Sequence, residues 1–312
     1  MKLKFIILFI YTLTTSSYAF NNNLLQMNMK TNKHLHNISP INNNKLKHYY
    51  ILARPSGIIY EFALPIVGSY LSTKKLSILF DPNVILLGLL SVIIASNCMI
   101  INDYYDYIFG SDSLKKNKVL NQHLLSSFEV FHTSTYITIF SYYLISIISN
   151  NPVRFILSNS IILGYLYTIF FKKMLFFKNI IVSFVITQSL VVGCLIVDGN
   201  LKLIIPAIVY LFNLIIWQEI ILDINDIEDD KINNINTIPV KYGYKNANKI
   251  AMVFLLLGTI IPYGLSFKFI LLQSPLILMN FYVIRKDKII NKVSLNISKF
   301  IMLITGVYMN IL

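Results

Sequence analysis

Long apolar stretches recur along this chain of 312 residues, and they constrain its fold more than any other feature of the sequence. Each stretch is roughly 17 to 20 residues long, which is the length that an α-helix needs to cross a hydrocarbon core of about 30 Å. Charged residues make up 13% of the chain and the mean hydropathy is +0.63, whereas soluble proteins contain about 25% charged residues. The sequence therefore predicts an all-α integral membrane protein.

The positions of charged and turn-forming residues divide the apolar stretches into nine predicted transmembrane helices. These cover residues 56–72, 84–101, 131–149, 152–170, 179–197, 201–219, 248–265, 267–284 and 297–312. Most lysines and arginines lie in the loops after the second, fourth, sixth and eighth spans, which places that end of the bundle on the cytosolic or stromal face. The same distribution argues against a nucleic-acid partner, because the basic residues form no basic face interleaved with aromatics.

The first 50 residues have the composition of a targeting sequence. Residues 1–19 contain Lys2 and Lys4, an apolar run and small residues up to Ala19, as a signal peptide does, although a first transmembrane helix is the alternative. Residues 20–50 have lysines but no acidic residue, and we expect a disordered transit segment there. Together they resemble presequences of algae with complex plastids, and an endomembrane location is the alternative. An AT-rich genome would produce the same composition. We therefore predict that residues 51–312 form the membrane domain.

The first acidic cluster follows the second predicted span without a break. On a helix, Asn102 and Asp106 are one turn apart with Asp103 beside them, so three oxygen-bearing side chains face one direction. Asp112 follows a short distance later. Hard oxygen ligands suit Mg²⁺, which typically bridges a few carboxylates to substrate phosphates.

A second acidic cluster ends the sixth predicted span. Asp223, Asp226 and Asp230 are spaced three and four residues apart, and Glu219 lies one turn earlier. Carboxylates at the end of a membrane span repel each other and are costly to desolvate, so the pattern predicts a bound cation or a water-filled cavity. A solvated acidic helix cap is the alternative interpretation.

With these motifs, the chain resembles the UbiA superfamily of intramembrane prenyltransferases over residues 52–312. The resemblance rests on the two acidic clusters and on the segments 54–56, 117–126 and 237–243. The chain departs from the family at Lys118, where arginine is usual, and at Asp112, which stands two residues later than the family's third acid. Lysine supplies a point charge to a diphosphate but lacks the bidentate fork of arginine.

The resemblance implies a UbiA-type bundle of nine helices around a central cavity, with Mg²⁺ as the cofactor. Its catalytic residues would be Asp103, Asp106, Asp223 and Asp226, and its metal ligands these four with Asn102, Asp112 and Asp230. Its diphosphate-binding residues would be Lys118, Lys172, Lys173 and Lys231, and its substrate pocket Arg54, Ser56, Tyr165, Tyr167 and Glu219. For the lysines after the fourth span, a positive loop on the inner face of the membrane is an equally good explanation.

The activity implied by the resemblance is transfer of a prenyl group from a polyprenyl diphosphate to an aromatic or related acceptor within the lipid bilayer, in prenylquinone biosynthesis. Esterification of chlorophyllide, a tetrapyrrole acceptor, is the alternative within the family. An ion-coupled transporter is the alternative from another class, and it would place its acids near the bilayer midplane on broken helices.

Overall fold

The computed structural model describes residues 43–111, 115–263 and 267–286. The chain divides into two units, Met1–Asn43 and Asn44–Leu312, and nearly all of the described residues belong to the second. Within these ranges every regular element is helical. The α-helices are α1 Asn43–Leu52, α2 Ile58–Thr73, α3 Pro82–Ile108, α4 Ser127–Ile147, α5 Asn151–Ile169, α6 Phe177–Ile196, α7 Leu201–Asn225, α8 Ile227–Ile232, α9 Ile238–Tyr263 and α10 Phe267–Lys286. The predicted fold class, an all-α membrane protein, is confirmed.

Eight of the nine predicted spans coincide with these helices, and the ninth, 297–312, lies outside the described residues. Within the described ranges, four helices are by themselves long and apolar enough to cross a membrane: Pro82–Ile108, Phe177–Ile196, Leu201–Asn225 and Phe267–Ile284. The helical pair 45–52 and 55–73, bent by 50°, would make a fifth span.

Several helices extend beyond their predicted spans, and the extensions at the ends of α3 and α7 carry the acidic clusters. α3 ends at Ile108 instead of 101, and α7 ends at Asn225 instead of 219. The apolar pattern stops earlier because the acidic residues interrupt it, but these residues are compatible with a helix. As a result Asp103, Asp106 and Asp223 lie on the last turns of continuous helices.

The first described helix, α1, begins before the predicted domain boundary at residue 51. Residues 43–50, which we expected to be disordered, form most of α1. Two contacts hold this helix on α4: Nζ of Lys45 lies 2.6 Å from Oε1 of Glu129, and the hydroxyl of Tyr49 lies 2.9 Å from that of Thr133. The predicted signal peptide and the rest of the transit segment lie outside the described residues.

Side-chain caps fix where the helices start. The Asp81 carboxylate accepts a hydrogen bond from the backbone of Asn83 before α3, and Asn200 caps α7 in the same way. Ser126 and Glu129 form a reciprocal capping box at the start of α4. These caps satisfy backbone N–H groups that have no partner within the helix.

Glycines bring α2 and α6 into close contact. A Cβ atom at Gly193 would lie 1.9 Å from the carbonyl oxygen of Pro65, and one at Gly68 would lie 2.2 Å from that of Leu190. The hydroxyl of Ser69 donates a hydrogen bond of 2.6 Å to the Gly193 carbonyl. The backbones of the two helices therefore touch, as small residues allow in membrane bundles.

Candidate active site

Both acidic clusters line one cavity of about 350 Å³. α3 contributes Asn102 and Asp106, α7 contributes Asp223, and the following turn and α8 contribute Asp226 and Asp230. These residues are separated by more than a hundred positions in the sequence. The fold brings the two clusters together at the same end of the bundle because both α3 and α7 finish there.

In the first cluster, Asp103 and Asp106 each contact a cationic side chain. Oδ1 of Asp103 lies 3.1 Å from Nη2 of Arg54 and 2.7 Å from Nζ of Lys118. Asp106 accepts hydrogen bonds from Lys172 and, at 3.0 Å, from the Asn102 amide. Asp103 itself does not line the cavity, whereas its partners Arg54 and Lys118, and also Lys172, do.

The backbone of Arg54 helps to place its guanidinium. Arg54 has a φ of 52°, in the left-handed region that residues other than glycine seldom adopt. It turns the chain between α1 and the short helical turn Pro55–Gly57. The side chain then reaches Asp103 on α3, which fixes the start of α2 against the acidic end of α3.

In the second cluster, Asp223 is the most enclosed carboxylate. Its Oδ1 atom lies 2.5 Å from Nζ of Lys178, and its Oδ2 atom accepts a hydrogen bond of 3.1 Å from the Asn179 amide. Burial raises the pKa of the neighbouring Asp230 carboxyl to about 6, although the charge of Lys178 acts in the opposite direction.

Two contacts join the segments that carry the clusters. Nζ of Lys115, after α3, lies 3.6 Å from a carboxylate oxygen of Asp226 and 3.5 Å from one of Asp229. The side-chain amide of Asn233, after α8, donates a hydrogen bond of 2.6 Å to the carbonyl of Ser111. These contacts therefore hold the segment that follows α3 against the segment that follows α7.

The donor set fits Mg²⁺ held jointly with phosphate oxygens. Among the described residues, no three acidic, histidine or cysteine side chains lie close enough to hold a metal by themselves. Mg²⁺ does not need such a cage, because it keeps several waters and uses one or two carboxylates with substrate phosphates. Oδ1 of Asn102 and Oδ2 of Asp230 are buried oxygens that accept no hydrogen bond, and both residues line the cavity. Each is an available hard ligand.

Five of the residues predicted for the diphosphate site and the substrate pocket line the cavity: Arg54, Lys118, Tyr167, Lys172 and Glu219.

Four others are placed elsewhere by the described structure. Ser56 is exposed, and the ammonium of Lys173 lies 5.6 Å from the centre of the Phe109 ring. Lys231 pairs with Glu228 on the surface. The Tyr165 hydroxyl lies 2.8 Å from that of Thr138 on α4, away from the cavity wall. The last predicted ligand, Asp112, lies outside the described residues.

Sequence reasoning missed several residues at this site. The resemblance likens Lys178 and Asn179 to the family's basic cluster near the diphosphate, but it did not predict their contacts with Asp223. It also missed Lys115, Asp229 and the carboxylate of Glu61, which all line the cavity. An acidic residue near the start of a membrane span, as Glu61 is in α2, was the signal that could have identified it.

The wall beyond the acidic end of the cavity is largely apolar. Ile94, Ala95, Val182, Val185 and Leu163 contribute to it from α3, α6 and α5. The cavity therefore combines a strongly charged end with a hydrocarbon-like interior.

These features define the chain as an all-helical, multi-pass integral membrane protein with a charged cavity at one end of its bundle. The chain belongs to the UbiA prenyltransferase family, whose model matches residues 62–304. The predicted membership in this family of enzymes is thereby confirmed.

Two curated relatives are both digeranylgeranylglyceryl phosphate synthases. The protein of Methanosphaera stadtmanae is 33% identical over 172 residues, which cover 54% of this chain and 61% of the relative. The protein of Sulfolobus acidocaldarius is 36% identical over 124 residues, which cover 38% of this chain and 44% of the relative. The matched region thus spans less than two thirds of either relative.

Solved structures show the same fold. A structure described as digeranylgeranylglyceryl phosphate synthase in membranes has a TM-score of 0.63 at 20% identity, covering 86% of this chain and 99% of its own. A UbiA homologue from Archaeoglobus fulgidus, bound to DMAPP and Mg²⁺, has a TM-score of 0.61 at 16% identity, with coverages of 85% and 99%. The UbiA-type fold of this chain is therefore shown.

Proposed function

We propose that this protein transfers a prenyl group from a polyprenyl diphosphate to an acceptor within the membrane, with Mg²⁺ as the cofactor. The observation that carries the proposal is the convergence of Asn102, Asp106, Asp223, Asp226 and Asp230 on one cavity that continues into an apolar interior. A charged end matches a diphosphate with its metal, and an apolar interior matches an isoprenoid chain. Family membership and the Mg²⁺-bound homologue support the same assignment.

The residues divide into two roles at the charged end. Asn102, Asp106, Asp223, Asp226 and Asp230 are the proposed Mg²⁺ ligands, and Asp103 orients Arg54 and Lys118 through its two ion pairs. Asp112 is proposed as a further ligand on the resemblance alone. Bound Mg²⁺ would neutralise charge that develops on the leaving diphosphate.

Lysine and arginine side chains supply the remaining positive charge. Lys118, Lys172 and Arg54 line the cavity next to the first cluster, and Lys178 lies next to the second. Each can hold a diphosphate oxygen by a charge-assisted hydrogen bond. Preorganised cations stabilise charge on the leaving group without reorganising during the reaction.

The apolar wall protects the reacting carbon. Loss of diphosphate leaves an allylic carbocation on the prenyl chain, which water would capture if it had access. Ile94, Val182 and Val185 surround the interior of the cavity with hydrocarbon and exclude water from it. The acceptor then attacks the cation and loses a proton, so the products are the prenylated acceptor, diphosphate and one proton.

Three acceptor classes are proposed, on two different grounds. The sequence resemblance favours an aromatic precursor in prenylquinone biosynthesis, with chlorophyllide as the tetrapyrrole alternative. The names of both curated relatives favour a glyceryl phosphate acceptor. An ion-coupled transporter is disfavoured because the aspartates lie at the ends of continuous helices.

Product formation in membranes tests the activity. Membranes that contain the protein are incubated with geranylgeranyl or phytyl diphosphate, Mg²⁺ and a panel of acceptors: homogentisate, dihydroxynaphthoate, hydroxybenzoate, chlorophyllide and geranylgeranylglyceryl phosphate. We expect Asp106→Ala and Asp226→Ala each to lower turnover by roughly 10²–10³-fold. Glu228→Gln is the matched control, because Glu228 pairs with Lys231 on the surface. Unchanged turnover in both aspartate variants would contradict the proposal.

We also propose a plastid membrane as the location, on the basis of the signal-like and transit-like segments 1–19 and 20–50. Residues 1–50 fused to a fluorescent protein in an alga with a complex plastid should direct it to that organelle. Retention in the endoplasmic reticulum would favour the endomembrane alternative.

A further inference from the structure

A ring of polar side chains lies deep in the cavity, away from the aspartates. It consists of Glu61, Ser91, Ser160, Gln188 and Ser189, all of which line the cavity. These residues come from four helices, α2, α3, α5 and α6. We name this set the inner polar ring.

Helix geometry gives the distance from the charged end to the inner polar ring. Ser91 and Asn102 are both on α3, eleven positions apart, which at 1.5 Å per residue is about 16 Å. Gln188 and Lys178 are both on α6, ten positions apart, which corresponds to about 15 Å. Two helices therefore place the ring at the same depth.

Contacts place the other members at that depth. The Ser160 hydroxyl donates a hydrogen bond of 2.8 Å to the side-chain carbonyl of Gln188. A Cβ atom at Gly88, one turn from Ser91 on α3, would lie 2.9 Å from the Phe62 ring. Glu61 is the residue before Phe62, so its position on α2 lies near this part of α3, and its side chain lines the cavity.

Apolar residues separate the two polar regions. Ile94 and Ala95 on α3, and Val182, Val185 and Ile186 on α6, line the cavity between them. The result is an apolar section about 16 Å deep that ends at a carboxylate and an amide. An ionisable residue inside a membrane span is expensive to place there and usually has a function.

We propose that the inner polar ring limits the prenyl chain of the donor to about three or four isoprene units; this inference rests on the proposed function. Each unit adds four backbone bonds, and an extended polypeptide advances about 3.3–3.6 Å per three bonds, so one unit spans roughly 4.5 Å. Three or four units fill the apolar section. A longer chain would press hydrocarbon against the carboxylate of Glu61 and the side-chain amide of Gln188, and contact of these polar groups with hydrocarbon is unfavourable.

A series of donors with two to nine isoprene units tests this limit at a fixed acceptor. We expect kcat/KM to rise up to three or four units and to fall at least about tenfold for six units. Glu61→Leu and Gln188→Leu should each raise kcat/KM for the six-unit donor by about tenfold or more, with the two-unit donor little changed. Phe184→Leu is the matched control and should keep the wild-type profile, because Phe184 is exposed on α6 and does not line the cavity.

The outcomes separate this inference from the proposed function. If the wild-type protein transfers no donor to any acceptor, the proposed function fails. If it transfers donors of all lengths equally well, or if both leucine variants keep the wild-type length profile, the length limit alone is overturned. Two ring positions are used so that a folding defect in one variant leaves the second as a test.

Discussion

Lys178 and Asp223 form an enclosed ion pair between α6 and α7, with Nζ of the lysine 2.5 Å from Oδ1 of the aspartate. Removing one partner of such a pair leaves the other charge buried, which typically costs roughly 3–5 kcal/mol. We expect Lys178→Met to lower the free energy of unfolding by this amount, measured by SDS titration of the protein in mixed micelles.

The double variant Lys178→Met/Asp223→Asn is the control for this prediction. It removes both charges, while the asparagine can still accept the hydrogen bond from Asn179 that Asp223 accepts at 3.1 Å. Most of the lost stability should return. A double variant as unstable as Lys178→Met would show that packing, and not the unpaired charge, causes the loss.

Lys118→Arg should strengthen donor binding. Lys118 contacts Asp103 at 2.7 Å and lines the cavity, and an arginine there could hold Asp103 and a diphosphate with one planar fork. We expect KM for the prenyl diphosphate to fall about fivefold, which is on the order of 1 kcal/mol. Lys118→Met should raise KM instead. Equal KM values in all three proteins would exclude Lys118 from the diphosphate site.

Lys231→Ala should leave both stability and donor binding unchanged. Its ion pair with Glu228 spans 3.3 Å, and the two side chains are 49% and 76% exposed. Exposed pairs of this kind contribute little, typically under about 1 kcal/mol. A raised KM for the donor would restore the role in diphosphate binding that the sequence suggested for Lys231.

Gly193→Ala should destabilise the bundle. Its Cβ atom would lie 1.9 Å from the Pro65 carbonyl oxygen, so α2 and α6 would have to separate. Overpacking of this kind costs roughly 1–3 kcal/mol, which thermal unfolding in detergent would detect as a lower Tm. Gly57→Ala is the matched control, because nothing lies within 4 Å of its Cβ position. A similar Tm shift in both variants would argue against the close contact.

The helices and the position of the charged site were predictable because both follow from local patterns. Apolar stretches of membrane-spanning length locate α2 to α7 with shifts of a few residues at most ends. The spacing of Asp103 and Asp106, and of Asp223 and Asp226, identifies acidic helix ends, and the alternation of spans puts both ends on one face. Five acidic-cluster residues line the cavity. Four of them lie on these two helices and on the turn that follows α7.

The partners of these acids were not predictable, because they depend on packing between distant helices. Lys231 follows Asp230 directly and looked like a ligand, but α8 directs it to the surface. Tyr165 and Tyr167 are two positions apart and therefore point to different sides of α5, so that Tyr167 alone lines the cavity. The depth at which Glu61 enters the cavity depends on how Phe62 packs against Gly88 on α3.

The touching backbones of α2 and α6 have a consequence for how substrates arrive. Between Gly68 and Leu190, and between Pro65 and Gly193, the separation is too small for even one additional methyl group. An isoprenoid chain dissolved in the bilayer cannot slip between these two helices at that level. A lipid-borne donor must therefore reach the interior through a different seam of the bundle or from the charged end.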